Sequence, residues 1–232
     1  MACAVACVAA AEAPGPSDRP LTYPETRTVD VVEAHHGIKV ADPYRWMEDV
    51  DAPDVKAWIA AQNRLTFRYL AEIHARGPIK RRLTDLWNYP RYNTPTKRGG
   101  RYFFSKNDGL QNQSVLYVAD SLDGQPRVLL DPNKLSEDGT IALSGSAVSE
   151  DGKRLAYGLS SAGSDWIEYK VRNVDTGKDL VDHLKWIKFS GASWTRDGKG
   201  FFYSRYDKPA GDQLQDVNYH HKLYYHRQGN RI

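Results

Sequence analysis

The chain has 232 residues, of which 41% are apolar and 26% charged, a composition typical of a globular protein with a substantial core. Its 32 basic and 29 acidic side chains are interspersed, which argues against a nucleic-acid-binding surface. No segment approaches the roughly 18 consecutive apolar residues of a membrane span, so we expect neither nucleic acid nor a membrane as a partner.

Residues 1–20 are predicted to form a leader. Residues 2–13 are small and apolar, the breaker run PGPS follows, and residues 9–11 (AAA) resemble a signal-peptide cleavage site. No basic residue precedes the run, which is short and Ala-rich, so two interpretations stay open. One is a truncated signal, with a periplasmic or secreted location, and the other is a disordered leader on a cytoplasmic protein. Both cysteines, Cys3 and Cys7, lie here, which excludes a later disulfide framework or CxxC zinc site.

Residues 21–88 are predicted to form a helical segment that opens with short extended pieces. The β-branched run at 28–32 predicts a strand, residues 35–40 a second extended piece, and the DPYRWMED run at 42–49 a turn. Paired-carboxylate chemistry is conceivable for Asp42, Glu48 and Asp49, but their place beside proline and tryptophan favours a structural turn.

Two helices are predicted to follow. Asp51 as a cap and Pro53 in the first turn indicate the start of the first helix, and Gly77 indicates its end. Its apolar face, spaced by three and four residues, consists of Val55, Trp58, Ile59, Gln62, Leu65, Tyr69 and Ile73. Pro78 indicates the start of a shorter helix, whose apolar side consists of Ile79, Leu83, Leu86 and Trp87.

From residue 89 the apolar period changes to two, and the chain is predicted to be short strands separated by turns. The predicted strands are 102–105, 114–118, 127–130, 154–158, 167–171, 200–203 and 222–225.

These strands recur with glycine turns at intervals of about 50 residues. Gly100, Gly152 and Gly198 precede aromatic strands, and Gly124, Gly177 and Gly229 follow their partner strands. Two interleaved series with one period favour the blades of a β-propeller over an irregular β-sandwich. Three blades cannot close a ring, so we expect an incomplete propeller at residues 89–232.

A run of collinear motifs from Tyr23 to Gly229 resembles prolyl oligopeptidase, a family of serine peptidases. The motifs are YP at 23–24, DPYRWMED at 42–49, GLQNQSVLYV at 109–118, LDPN at 130–133, SEDG at 149–152, GSDW at 163–166, KFS at 188–190, WTRDGKG at 194–200 and KLYYH at 222–226. The resemblance covers the N-terminal region of that family only.

The resemblance implies a mainly β fold with an N-terminal helical segment, in which about three blades of the family's seven-bladed propeller are present and the α/β-hydrolase core is absent. The helical segment would pack on that missing C-terminal hydrolase domain, and the propeller would restrict substrates to short, proline-containing peptides. The hydrolase domain would carry a Ser-Asp-His triad that cleaves after proline, and it would need no cofactor and no metal.

The sequence contains no motif that marks a catalytic residue. No G-x-S-x-G nucleophile motif occurs, and the nearest decoy, residues 158–163 (GLSSAG), is one residue too long and is interpreted as a loop. His220 and His226 could share a strand face and bind a metal, but no third ligand is spaced nearby, so ordinary histidines are favoured. We therefore predict no catalytic residue and no metal ligand.

One binding residue follows from the resemblance. Phe189, in the KFS motif, matches a propeller residue that in the family lines the substrate cavity and contacts the peptide upstream of the proline. The alternative, a core aromatic in a blade strand, has comparable weight. Asp165 and Trp166 match the family too and are assigned to structure or to domain contact.

Three functional interpretations stay open. The first is the N-terminal part of a proline-specific serine endopeptidase, inactive alone. The second is a stand-alone partial propeller that binds a peptide or protein, and the third is a chain whose missing domain is supplied by a separate polypeptide. The motifs favour the first.

Overall fold

The structure, a computed structural model, describes residues 20–211 and 217–230, so all but the last residue of the predicted leader, with Cys3 and Cys7, lies outside the described residues. The chain divides into two compact units between Asp85 and Leu86. Within the described ranges, no helix is long and apolar enough to cross a lipid bilayer.

The first unit opens with a β-hairpin. Strand β1 (Val32–His35) pairs antiparallel with β2 (Ile38–Ala41). The prediction of a strand at 28–32 is therefore wrong apart from its last residue. The reason is the turn at His36 and Gly37, both with positive φ, since a two-residue turn fixes which residues on either side of it can pair.

A 3₁₀ turn at Arg45–Glu48 lies within the segment predicted as a turn. The Arg45 guanidinium contacts the carboxylates of Asp42 at 2.6 Å, Glu33 at 2.7 Å and Glu48 at 3.4 Å. These carboxylates are thus occupied by a structural ion-pair cluster, which supports the interpretation of this segment as a turn.

Helices α1 (Pro53–Glu72) and α2 (Arg76–Trp87) follow. The predicted cap is wrong: α1 begins after Ala52 with no side-chain cap, and the Asp51 carboxylate instead binds Lys56 Nζ at 2.8 Å. The predicted end is wrong as well, because the chain leaves the helix at Ile73 and Gly77 lies in the first turn of α2.

The apolar faces of the two helices differ in burial. On α1, Val55 and Leu65 of the predicted face are buried. On α2, the whole predicted face is exposed, namely Ile79, Leu83, Leu86 and Trp87.

Twelve strands follow among the described residues. They are β3 (Arg91–Tyr92), β4 (Thr96–Arg98), β5 (Arg101–Asn107), β6 (Val115–Ala119), β7 (Arg127–Leu130), β8 (Ile141–Val148), β9 (Arg154–Ser161), β10 (Ile167–Asn173), β11 (Asp179–Ile187), β12 (Ser193–Trp194), β13 (Gly200–Arg205) and β14 (Lys222–Arg227). All seven strands predicted after residue 89 are confirmed, at β5, β6, β7, β9, β10, β13 and β14. The sequence analysis missed the other five.

The strands form three separate antiparallel sheets, each made of consecutive strands. In the first blade, β5, β6 and β7 follow one another and β3 and β4 both pair with β5; the second blade is β8 to β11, and the third is β12 to β14. The leading strands β4, β8 and β12 line one cavity of about 470 Å³. This arrangement confirms a partial propeller in which the sheets do not close into a ring.

The periodic glycines have a packing role where neighbouring blades touch. Gly99 has φ +52 and Gly152 has φ +70. A Cβ atom on Gly99 would lie 1.9 Å from the backbone oxygen of Asp151, and one on Gly152 would lie 2.6 Å from the backbone oxygen of Arg98. Each turn therefore excludes a side chain both by conformation and by the close approach of the next blade.

The first and second blades pack face to face through a buried apolar cluster. The first blade contributes Phe103, Leu116, Val118, Leu129 and Leu130, and the second contributes Leu155, Tyr157 and Val174. Two arginines cross this interface: Arg127 donates to the carbonyl of Val174 at 2.5 Å, and Arg172 donates to the carbonyl of Leu129 at 2.8 Å.

The second and third blades pack through a second cluster. It consists of Ala156, Ile167, Tyr169, Val171, Leu184 and Ile187 from the second blade and Phe201 and Tyr203 from the third. Because successive side chains of a strand point to opposite faces, Ala156 meets the third blade while Tyr157 meets the first. The second blade is thus covered on both faces.

A buried polar contact links the same two blades. His226 Nε2 on β14 lies 2.6 Å from Asp182 Oδ1 on β11, and that oxygen also accepts from the Gly229 backbone N–H at 2.7 Å. Both side chains are almost completely shielded from solvent. Removal of either partner would leave a buried polar group without its hydrogen bond.

The outer faces of the first and third blades are apolar and uncovered. On the first blade, Phe104 stacks on Tyr117 with ring centres 5.7 Å apart, and Tyr92 is exposed beside them. On the third blade, Phe202 and Tyr225 are 5.2 Å apart and Leu223 is 70% exposed. The second blade buries both of its faces against its neighbours, whereas the first and third blades each leave one apolar face without a neighbouring blade.

Replacing Asp182 by Ala should lower the free energy of unfolding by about 3 kcal/mol, because the buried His226 ring loses its partner. Urea denaturation followed by tryptophan fluorescence measures the change. The control is Asp207→Ala, which removes an exposed ion pair with Lys222 and should leave the stability nearly unchanged. Equal stability of the two variants would contradict the role assigned to Asp182.

The Asp179 carboxylate should make the free energy of unfolding fall at acid pH. Burial disfavours its charge, but hydrogen bonds from Arg172 and then Tyr157 outweigh burial and hold the pKa of Asp179 below its ordinary value of 3.8. A carboxylate whose pKa is lowered by folding stabilises the folded state above its unfolded pKa, and that contribution is lost as the pH falls through the folded pKa.

The variant Asp179→Asn should therefore be less stable than the wild type at pH 7, with a difference that shrinks below about pH 4. Urea denaturation between pH 3 and pH 7 is the measurement, and Asp123→Asn, at an exposed turn position, is the control. A difference that stays constant over this range would refute the assignment.

Candidate functional site

The two ends of the blades differ in their loops. All the periodic glycine turns lie at one end, in the connections β4–β5, β8–β9, β12–β13, β6–β7 and β10–β11 and in the turn after β14. The connections β9–β10 and β11–β12 lie at the other end, because successive strands of a blade alternate in direction. This second end, which lacks the periodic glycine turns, is here called the irregular end of the blades.

A cavity of about 430 Å³ opens at the irregular end. Ile167 and Tyr169 of β10 provide apolar lining, and Ser144 and Gly145 line it where the pairing of β8 with β9 is interrupted by a bulge. The loop between β11 and β12 contributes Phe189 to the lining. The cavity therefore combines apolar surface with hydroxyl and backbone groups, as ligand pockets commonly do.

Phe189 is exposed at this cavity. Its side chain is 77% exposed and lies outside the strands, in the loop that follows β11. The alternative interpretation of Phe189 as a core aromatic is therefore wrong. Its φ of +50° is uncommon for a bulky residue, so the loop holds the ring outward in a backbone conformation that an aromatic residue rarely adopts.

A hydrogen bond from the buried Tyr169 holds this loop in place. This side chain is 1% exposed, and its hydroxyl donates to the carbonyl of Ser190 at 3.0 Å. Burial raises the pKa of the Tyr169 phenol, so it stays a neutral hydrogen-bond donor.

Asp165 and Trp166 lie in the β9–β10 loop at the same end. Trp166 packs edge-on against Trp186 at 5.8 Å and Tyr206 at 6.2 Å, which supports a structural role within the chain. The Asp165 carboxylate is exposed and lines the cavity. Its assignment to a domain contact stays a prediction.

The GLSSAG run and the two histidines considered as metal ligands do not form a site in the structure. Residues 158–161 of the GLSSAG run lie in β9, so the interpretation of the whole run as a loop is wrong; the strand extends because β9 pairs with both β8 and β10. His226 is buried against Asp182, whereas His220 lies exposed in the β13–β14 loop, so the two histidines do not share a site.

Within residues 20–211 and 217–230, no three His, Cys, Asp or Glu side chains are grouped to hold a metal ion. No serine hydroxyl is hydrogen-bonded to a histidine within these ranges either.

Sequence reasoning missed the residues that hold the cavity loop in place. Tyr169 was identified only as part of a strand, and the contact between its hydroxyl and Ser190 joins residues 21 positions apart. The one local signal lay in β11, where Leu180, Asp182 and Leu184 are spaced by two residues and so share one face of a strand that precedes the loop.

Comparison with known proteins assigns the family. The family model for the prolyl oligopeptidase N-terminal beta-propeller domain matches residues 23–232. The prolyl endopeptidase of Elizabethkingia meningoseptica is 44% identical over 229 residues, which are 98% of this chain and 32% of that protein.

Solved structures agree. A prolyl endopeptidase studied for inter-domain dynamics in catalysis and specificity matches with a TM-score of 0.81 at 36% identity, over 90% of this chain and 31% of that one. Prolyl oligopeptidase B from Galerina marginata, bound to a 25mer macrocyclization substrate, matches with a TM-score of 0.75 at 32% identity, over 91% and 33%. The chain thus spans about a third of the length of these relatives, and it belongs to the prolyl oligopeptidase family, whose N-terminal beta-propeller domain it matches.

Proposed function

We propose that this chain is the substrate-gating propeller portion of an endopeptidase that cleaves short peptides after proline. The observation that carries the proposal is the cavity at the irregular end of the blades, where Phe189 is exposed. Relatives named prolyl endopeptidase share 44% of the aligned residues, which supports a peptide as the ligand.

The role of Phe189 is to contact a peptide side chain upstream of the proline. Its exposed ring offers apolar area and an aromatic face, and both favour contact with a flat or apolar side chain. The apolar lining from Ile167 and Tyr169 would bury the far side of such a group. The chain's contribution to the reaction is therefore binding and orientation.

The chemistry itself is assigned to a hydrolase domain carrying a serine nucleophile, a histidine base and an oxyanion hole. Peptide cleavage would proceed by acyl transfer, with no metal or organic cofactor. We assign no role in bond breaking to any of the described residues.

Residues 21–88 are proposed to pack against that hydrolase domain. The exposed apolar face of α2 supports this assignment, because surface helices normally bury such a stripe. The uncovered outer faces of the first and third blades likewise support neighbouring blades in the complete enzyme.

The test is a chimera in which this chain replaces the matched segment of the Elizabethkingia meningoseptica prolyl endopeptidase. We expect the chimera to hydrolyse a succinyl-Gly-Pro chromogenic peptide and the isolated chain to give no turnover. A monodisperse but inactive chimera would refute the proposal, and calorimetric binding of a proline-containing peptide by the isolated chain would then favour a stand-alone binding module.

Within the chimera, Phe189→Ala should raise KM about tenfold with little change in kcat, because it removes binding that substrate and transition state share. The control is Leu122→Ala, since Leu122 is also apolar and exposed but lies in the β6–β7 connection of the first blade, at the glycine-turn end. An unchanged KM in the Phe189 variant would remove Phe189 from the site.

A further inference from the structure

The segment 186–190, here called the Phe189 arm, contains two bulky residues in left-handed backbone conformation. Trp186 has φ +64 and Phe189 has φ +50. Non-glycine residues adopt this region at an energetic cost, and they persist there only where the surrounding structure holds them. Two such residues within four positions indicate that the arm is held by its contacts.

Hydrogen bonds fix both ends of the arm. At the start, the carbonyl of Trp186 accepts from the Tyr206 backbone N–H at 2.9 Å. At the end, the carbonyl of Ser190 accepts from the Tyr169 hydroxyl at 3.0 Å, and the Ser190 hydroxyl oxygen accepts from the Ser204 backbone N–H at 2.7 Å. The arm is therefore tied to β10, to β13 and to the residue that follows β13.

The middle of the arm is held by a cation–π contact. Lys188 Nζ lies 4.0 Å from the centre of the Trp166 ring. That ring is itself fixed edge-on by Trp186 and Tyr206. Lys188 is thus half-buried over Trp166, whereas its neighbour Phe189 is exposed to solvent.

We propose that Lys188 and Trp166 are positioning residues that hold Phe189 in its peptide-contacting orientation before any peptide arrives. An aromatic side chain ordered in advance loses less conformational entropy on binding, which strengthens binding without adding a contact. What Phe189 touches rests on the proposed function, whereas the rigidity of the arm is a property of the chain alone.

The strain in the arm can be measured by substitution with glycine. Phe189→Gly in the full chain should melt about 2–4 °C higher than Phe189→Ala, because both variants lack the ring and glycine adopts positive φ far more readily than alanine. The matched control is Phe202→Gly, at an exposed phenylalanine within strand β13, and it should melt lower than Phe202→Ala. A lower melting temperature for Phe189→Gly than for Phe189→Ala would overturn the idea of a strained arm.

The positioning role requires a measurement of order at Phe189. In the wild-type chain we expect a backbone order parameter near about 0.85 at Phe189, falling below about 0.6 in Lys188→Met. Lys188→Arg keeps the cation over Trp166 and should restore the order. The control is Lys178→Met, at an exposed lysine in the turn between β10 and β11, which should change nothing at Phe189.

An order parameter at Phe189 that is already low in the wild type, or that is unchanged in Lys188→Met, would overturn the proposal. This readout involves no peptide. A rigid arm in a chain whose chimera fails to cleave peptides would therefore disprove the proposed function while leaving the positioning inference standing.

Discussion

The face-to-face packing of neighbouring blades is the constraint on which the second unit depends. Each sheet has apolar side chains on both faces, so a blade is stable only where another blade covers it. The second blade meets this condition on both sides, with Tyr157 directed to the first blade and Ala156 to the third. The outer faces of the first and third blades carry the same kind of apolar surface without a cover.

The same packing explains where binding residues can lie. The regular end of the blades consists of tight glycine turns, and Gly99 and Gly152 leave no room there for side chains. The opposite end carries connections such as β9–β10 and β11–β12, which do not contain the periodic glycines of the blade repeat. An outward aromatic residue with positive φ is tolerated at that end because the strands beneath it, β10 and β13, are rigidly packed.

Strand positions could be predicted where aromatic or β-branched residues stand beside glycine turns, as in β5, β9 and β13. Among the missed strands, β8 lacks that signal because it is rich in Ser, Gly and Ala. The pairing of β3 and β4 with β5 is interrupted around Pro95, which has no N–H to donate. The predicted cap of α1 failed because the Asp51 carboxylate binds Lys56 instead.

The candidate site was less accessible to sequence reasoning than the fold. Phe189 was identified by family resemblance, and composition alone would also have allowed a core position. Its exposure and the contacts of Lys188 with Trp166 and of Tyr169 with Ser190 arise from tertiary packing between distant segments. Such contacts leave no periodic pattern in the chain, so only the structure reveals them.

Amide hydrogen exchange of the folded chain tests the central role of blade packing most directly. The strands β6, β10 and β13 are each paired on both sides, although β13 pairs with β12 at two residues only. Of the three, only β10 belongs to a blade covered on both faces. If blade packing governs stability, the amides of β10 exchange most slowly and those of β6 and β13 exchange faster. Equal or slower exchange in β6 or β13 would contradict the account.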